Sequence, residues 1–211
     1  MLLESLISLL YVLLIFYISY INCLNLSHHH HHKHHHSPTS LFIFGDSYLD
    51  VGNNNYINTS TLDKANFWPY GVTYFHSPTG RFSDGRLISD FIAEHANLPL
   101  IHPYLQPGKR RFYDGVNFAS AGGGALVETF QGSVIDLHMQ LKYYKKVKKW
   151  LKNEIGVMKA NRRLKRAVYL FSIGTNDYLS PFLKNSSIFL TSYPRYAYVS
   201  MVVNNITSVV H

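Results

Sequence analysis

Four apolar residues, Leu41-Phe42-Ile43-Phe44, run into Gly45 and deliver Asp46 and Ser47 into a turn. A run this short, ended by a glycine, reads as a buried strand rather than a helix. A serine just past the carboxyl end of such a strand stands where open α/β sheets bind their ligands. Strand-end turns are also where hydrolases expose nucleophilic serines. The pattern recurs downstream: Ala167 to Ile173 reads as a second buried strand, broken by Gly174-Thr175-Asn176-Asp177. Two strands ending in glycine and small polar residues point to one site at one sheet edge.

Between them the chain alternates strand and helix patterns. Asp50 to Thr79 is rich in Asn, Gly, Pro and Tyr and reads as a long loop beside the site. Leu87-Ile88, Phe91-Ile92 and Ala96 form a helical stripe, with Asp84 or Ser83 as N-cap. Val116 to Ala119 is a short strand that ends in Ser120 and the run Gly122-Gly123-Gly124. Leu137, Leu141, Tyr144, Val147, Leu151, Ile155 and Met158 recur at helical spacing, and a last helix starts near Tyr193. This alternation predicts an α/β domain, a parallel sheet flanked by helices.

Four ordered blocks carry a family resemblance. They are Phe44-Gly45-Asp46-Ser47 with Asp50-Val51-Gly52-Asn53-Asn54-Asn55, then Gly80 to Arg86, then Gly115 to Gly122, then Gly174-Thr175-Asn176-Asp177. In this order they resemble the plant GDSL esterase/lipases of the SGNH hydrolase superfamily. The resemblance covers about residues 40 to 211 and implies a flavodoxin-like three-layer fold. It implies a secreted serine carboxylic-ester hydrolase acting on lipid or other acyl esters. Ser47 matches the nucleophile, Gly122 a backbone oxyanion donor and Asn176 a side-chain oxyanion donor. Gly123 or Gly124 is open as an alternative to Gly122, whereas Asp46 and Asp177 read as residues that fix loop geometry. Such a reaction needs a nucleophile, a base for its proton, and donors aimed at the developing oxyanion.

Two departures stand out. Tyr48 replaces the family's leucine after the serine. The family's C-terminal Asp-x-x-His block has no counterpart, because none of the thirteen histidines is so preceded. His76, His95, His102, His138 and His211 carry no signal that marks one of them as the base. The expectation is therefore the N-terminal part of such a domain, incomplete at the C-terminus and weak or inactive alone. The alternative is a catalytically inactive SGNH-like binding or decoy protein from a truncated form.

Residues 1–26 read as a signal peptide, 27–38 as a His-rich low-complexity linker and 39–211 as the domain. The leader's apolar core is short for a membrane span, although Glu4 is unusual there and a signal anchor is the competing reading. The reading is an extracellular, glycosylated protein, with sequons at Asn58, Asn185 and Asn205 and another at Asn25. Cys23 is the only cysteine, so the domain holds no disulfide. The His28–His36 tract reads as linker rather than metal site, and no cofactor or metal is implied.

Of the charge of +8, eleven cations lie between Lys142 and Arg166 against one acid, Glu154. They form the outer face of the basic helix, suited to weak association with an anionic membrane or cell wall. No nucleic-acid motif accompanies them, which argues against a nucleic-acid partner.

Overall fold

Three parallel strands in the order β2-β1-β3 form the sheet: β1 (Leu41–Gly45), β2 (Gly115–Asn117) and β3 (Val168–Ser172). The computed structural model describes residues 40–108, 111–183 and 194–210. The leader, the His-rich tract, the Asn25 and Asn185 sequons, Tyr193 and His211 lie outside the described residues. Five helices follow in chain order: α1 (Ile88–His95), α2 (Leu137–Ile155), α3 (Val157–Lys165), α4 (Thr175–Leu183) and α5 (Arg195–Val210).

β1 is buried along its whole length because both its faces are covered. Phe42 and Phe44 join Val116, Phe118, Leu137, Val147, Leu151 and Val202 on one side. Leu41 and Ile43 join Leu49, Ala93, Ile101 and Ala119 on the other. That alternation is the period of two expected of a strand, with both phases apolar as in a central parallel strand. Phe44 stacks on Phe171 at 4.7 Å between ring centroids, tying β1 to β3.

Four details differ from the sequence reading. Ala167–Ile173 was expected to be a buried strand, yet Val168 and Tyr169 are exposed. β3 lies at the edge of the described sheet, and burial at an edge depends on what flanks it. The helix expected from Ser83 or Asp84 starts at Ile88 instead, where Asp90 Oδ2 accepts the Leu87 N–H at 2.8 Å. Its apolar stripe is split: Ile88 is 64% and Phe91 49% exposed, whereas Leu87 is buried and Ile92 packs on the Leu41 and Ile43 side of the core, with Ser89, Asp90 and Ala93 buried. Arg81 causes this, because it holds the Asp90 carboxylate inside with Nε and Nη2 bonds of 2.8 Å each.

The single basic stripe is also broken. Gly156, with φ +79, ends α2 and opens α3, so Met158 stands 85% exposed rather than continuing the buried face. An L-residue rarely adopts that backbone, which is why a glycine marks the break. Finally, the loop after β1 is not wholly irregular, since it holds short 3-10 turns at Asn53–Tyr56 and Thr61–Asp63.

Candidate active site

The order β2-β1-β3 places a topological switch point between the carboxyl ends of β1 and β3, where the chain leaves in two directions. Crevices of open α/β sheets form there. Gly45 pairs with Ser172, so Ser47 follows the end of β1 and Asn176 the end of β3. Ser120 N–H donates to Gly45 O at 3.0 Å and brings the loop carrying Gly122 to the same edge.

Gly45 is fixed from three sides. Gln140 Oε1 accepts its N–H and Gln140 Nε2 donates to its C=O, both at 2.9 Å. The next amide, Asp46 N–H, donates to Ser172 O at 3.1 Å. A Cβ at Gly45 would lie 2.4 Å from that oxygen, so no other residue fits without moving β3.

Beyond Gly45 the chain folds back on itself. Asp46 O accepts the Leu49 and Asp50 N–H groups, and Asp46 Oδ1 accepts the Tyr48 N–H. This turn leaves Ser47 half-buried, and neither its hydroxyl nor its amide is bonded to a described residue. Ser47 therefore does not cap a helix. Asp46 Oδ2 is buried without a partner among the described residues. Burial pushes the Asp46 carboxyl up, and the nearby Asp177 charge adds to the effect.

Asp50 joins the first block to the glycine loop. Its Oδ1 accepts the Gly52 and Asn53 N–H groups at 2.7 Å each, and its Oδ2 accepts the Ala121 N–H at 3.0 Å. Burial outweighs those bonds and pushes this carboxyl up to about 6. Asn53 Nδ2 donates to Asn117 O and Ala119 O, and Asn54 Nδ2 to Ala121 O. The asparagines thus replace backbone pairing where the strands have ended.

Gly122 sits at φ +78, where a Cβ would meet Val134 Cγ1 at 2.8 Å. Its amide donates to no described residue, whereas the Gly123 amide is spent on Ser120 O at 2.8 Å. Asn176 Nδ2 donates to Gly123 O at 3.0 Å, which joins the Gly174–Asp177 block directly to the glycine loop. Asp177, wholly buried, accepts from Ala125 N–H, Leu126 N–H and Thr129 Oγ1 and holds the loop from below.

The histidines stand elsewhere. His76, His95 and His102 are exposed, and His138 Nε2 hydrogen bonds to Asn205 Oδ1 at 2.8 Å. Among the described residues no histidine is bonded to Ser47, Asp46 or Asp177. No cluster of metal-ligating side chains occurs among them either.

Gln140 and the structural weight of Asp50 were missed by the sequence reading. Gln140 did leave a signal. It is a polar residue three after Leu137 and seven before Val147, the inward phase of the α2 stripe. A polar residue in that phase must find buried partners.

The profile of the GDSL-like Lipase/Acylhydrolase family matches residues 41–206. The chain is 61% identical over 175 residues to GDSL esterase/lipase 5 of Arabidopsis thaliana, covering 82% of this chain and 44% of that protein. It is 57% identical to GDSL esterase/lipase 2 of the same plant, covering 82% of this chain and 46% of that one. Identity to a GDSL lipase of Tanacetum cinerariifolium is 50%, over 81% of this chain and 44% of the relative. The chain thus spans less than half the length of these curated relatives. No solved structure matches it.

Proposed function

The chain belongs to the GDSL-like lipase/acylhydrolase family, and on that premise we propose that it serves as a secreted serine carboxylic-ester hydrolase for lipid or other acyl esters. In this reading Ser47 Oγ attacks the ester carbonyl carbon and the carbonyl oxygen becomes an oxyanion. The Gly122 amide and the Asn176 side-chain amide donate to that oxygen, and the Ser47 amide is available beside them. The supporting observation is that the Ser47 hydroxyl and amide and the Gly122 amide engage no described residue, although neighbouring amides are spent. Donors fixed in advance toward developing charge cost no reorganisation when the reaction occurs.

Asn176→Ala tests the assignment. Removing one such donor lowers the rate by about 10²–10³. The expected result is a loss of that size in the rate of acyl transfer from a short-chain nitrophenyl ester, with Ser47→Ala abolishing it. An unchanged rate in Asn176→Ala sinks the oxyanion role.

The second reading, an inactive SGNH-like binding protein, is favoured by one observation: no described histidine is bonded to Ser47. It predicts reversible binding of acyl esters with no covalent step. Weak association with an anionic membrane or wall polymer is a further part of the proposal. Lys142, Lys145, Lys146 and Lys149, all exposed at i, i+3, i+4 and i+7 on α2, support it. Sedimentation with anionic vesicles that persists unchanged at high salt would refute an electrostatic origin.

A further inference from the structure

We propose that Asn58 carries an N-linked oligosaccharide and that Asn205, in the same sequence pattern, carries none. The inference rests on the secretory reading above, because the natural chain must enter the pathway to meet the transferase.

The two sequons occupy opposite environments. Asn54 Nδ2 donates to Asp63 O at 2.9 Å and closes the base of a loop whose middle is Asn58. Asn58 is exposed between the two 3-10 turns, and its side-chain amide is bonded to no described residue. The third member of the pattern, two residues after the asparagine, is Ser60, and it is exposed. Ser60 Oγ accepts the Leu62 N–H at 3.3 Å, which leaves its own proton free.

Asn205 lies inside α5 and is half-buried. Its Oδ1 is held by His138 of α2 and its Nδ2 donates to Met201 O, both at 2.8 Å. Thr207 Oγ1 is likewise spent on Val203 O at 2.9 Å. A sugar on Asn205 Nδ2 would crowd an amide already engaged by His138 of α2 and by Met201 O, so a chain modified there would fold against its own packing. On Asn58 the sugar projects into solvent from a closed loop and disturbs no contact.

The transfer forms a bond between Asn58 Nδ2 and C1 of the oligosaccharide. The bond from C1 to the diphosphate of a lipid-linked donor breaks, the lipid diphosphate departs with the bonding pair, and Nδ2 loses one proton. No oxidant or reductant is involved.

The test expresses the full chain behind an unrelated cleavable leader in a eukaryotic host and reads each sequon by glycopeptide mass spectrometry. Asn58→Gln and Ser60→Ala are expected to lose one glycan and Asn205→Gln none. Exported protein with an unmodified Asn58 peptide, or a glycan lost in Asn205→Gln, overturns the proposal. Expression with the native leader separates the premise. A chain glycosylated at Asn58 behind the unrelated leader but bare behind its own would refute secretion and leave the site assignment standing.

Discussion

Gln140 holds both backbone polar groups of Gly45, a residue 95 positions earlier, through two hydrogen bonds of 2.9 Å. It acts as a substitute strand where β1 runs out, and the turn carrying Ser47 begins at the next residue. Gln140→Leu would leave the buried Gly45 N–H unpaired, at about 1–3 kcal/mol, while Gly45 O keeps the Ser120 N–H. Urea denaturation should show a loss in that range or above it, with Gln140→Glu also destabilised and more so at pH 7 than at pH 5. The reason is that only a protonated carboxyl can still donate to Gly45 O.

Asp50 predicts a pH dependence of stability. Its carboxyl titrates at about 6 in the fold against 3.8 as the reference, so the folded state binds the proton more tightly. Its contribution is complete below the reference value and is lost as pH rises through about 6. Asp50→Asn should remove this slope from thermal melts recorded across that window. It should also lower stability throughout, since an amide NH₂ would face one of the three N–H donors. An unchanged slope would show that Asp50 does not titrate there.

Arg81 and Asp90 form a buried pair with two 2.8 Å bonds. Arg81→Met strands the Asp90 charge, and breaking a buried pair costs about 3–5 kcal/mol. Arg81→Lys keeps the charge but loses the two-point geometry, so its loss should be smaller. Equal losses in chemical denaturation would mean that geometry, not charge, governs the contact.

Parts of this fold are legible in sequence for a physical reason. β1 is buried on both faces, so its identity as a strand is written in consecutive apolar residues, and it ends on a glycine because any Cβ there would lie 2.4 Å from Ser172 O. The α1 stripe misleads because one ion pair, Arg81 with Asp90, outweighs apolar periodicity and turns Phe91 outward. There Arg86 covers it, with Cζ 4.1 Å from the ring centroid. Val168 and Tyr169 look like core residues, but exposure at a sheet edge is a property of neighbours, not of the strand. At the candidate site the blocks name Ser47, Gly122 and Asn176, while Gln140, which fixes Gly45, comes from a helix with no motif.

The central claim is that Ser47 takes the acyl group, and the direct measurement is acid-quenched mass spectrometry after mixing the protein with nitrophenyl butyrate. The nitrophenolate leaves without needing a proton, so acyl transfer can proceed slowly, whereas release of the acyl group needs a base to activate water. A butyryl adduct should accumulate on the peptide containing Ser47, disappear in Ser47→Ala and form about 10²–10³ more slowly in Asn176→Ala. No adduct at Ser47, or ester turnover that survives Ser47→Ala, would contradict it.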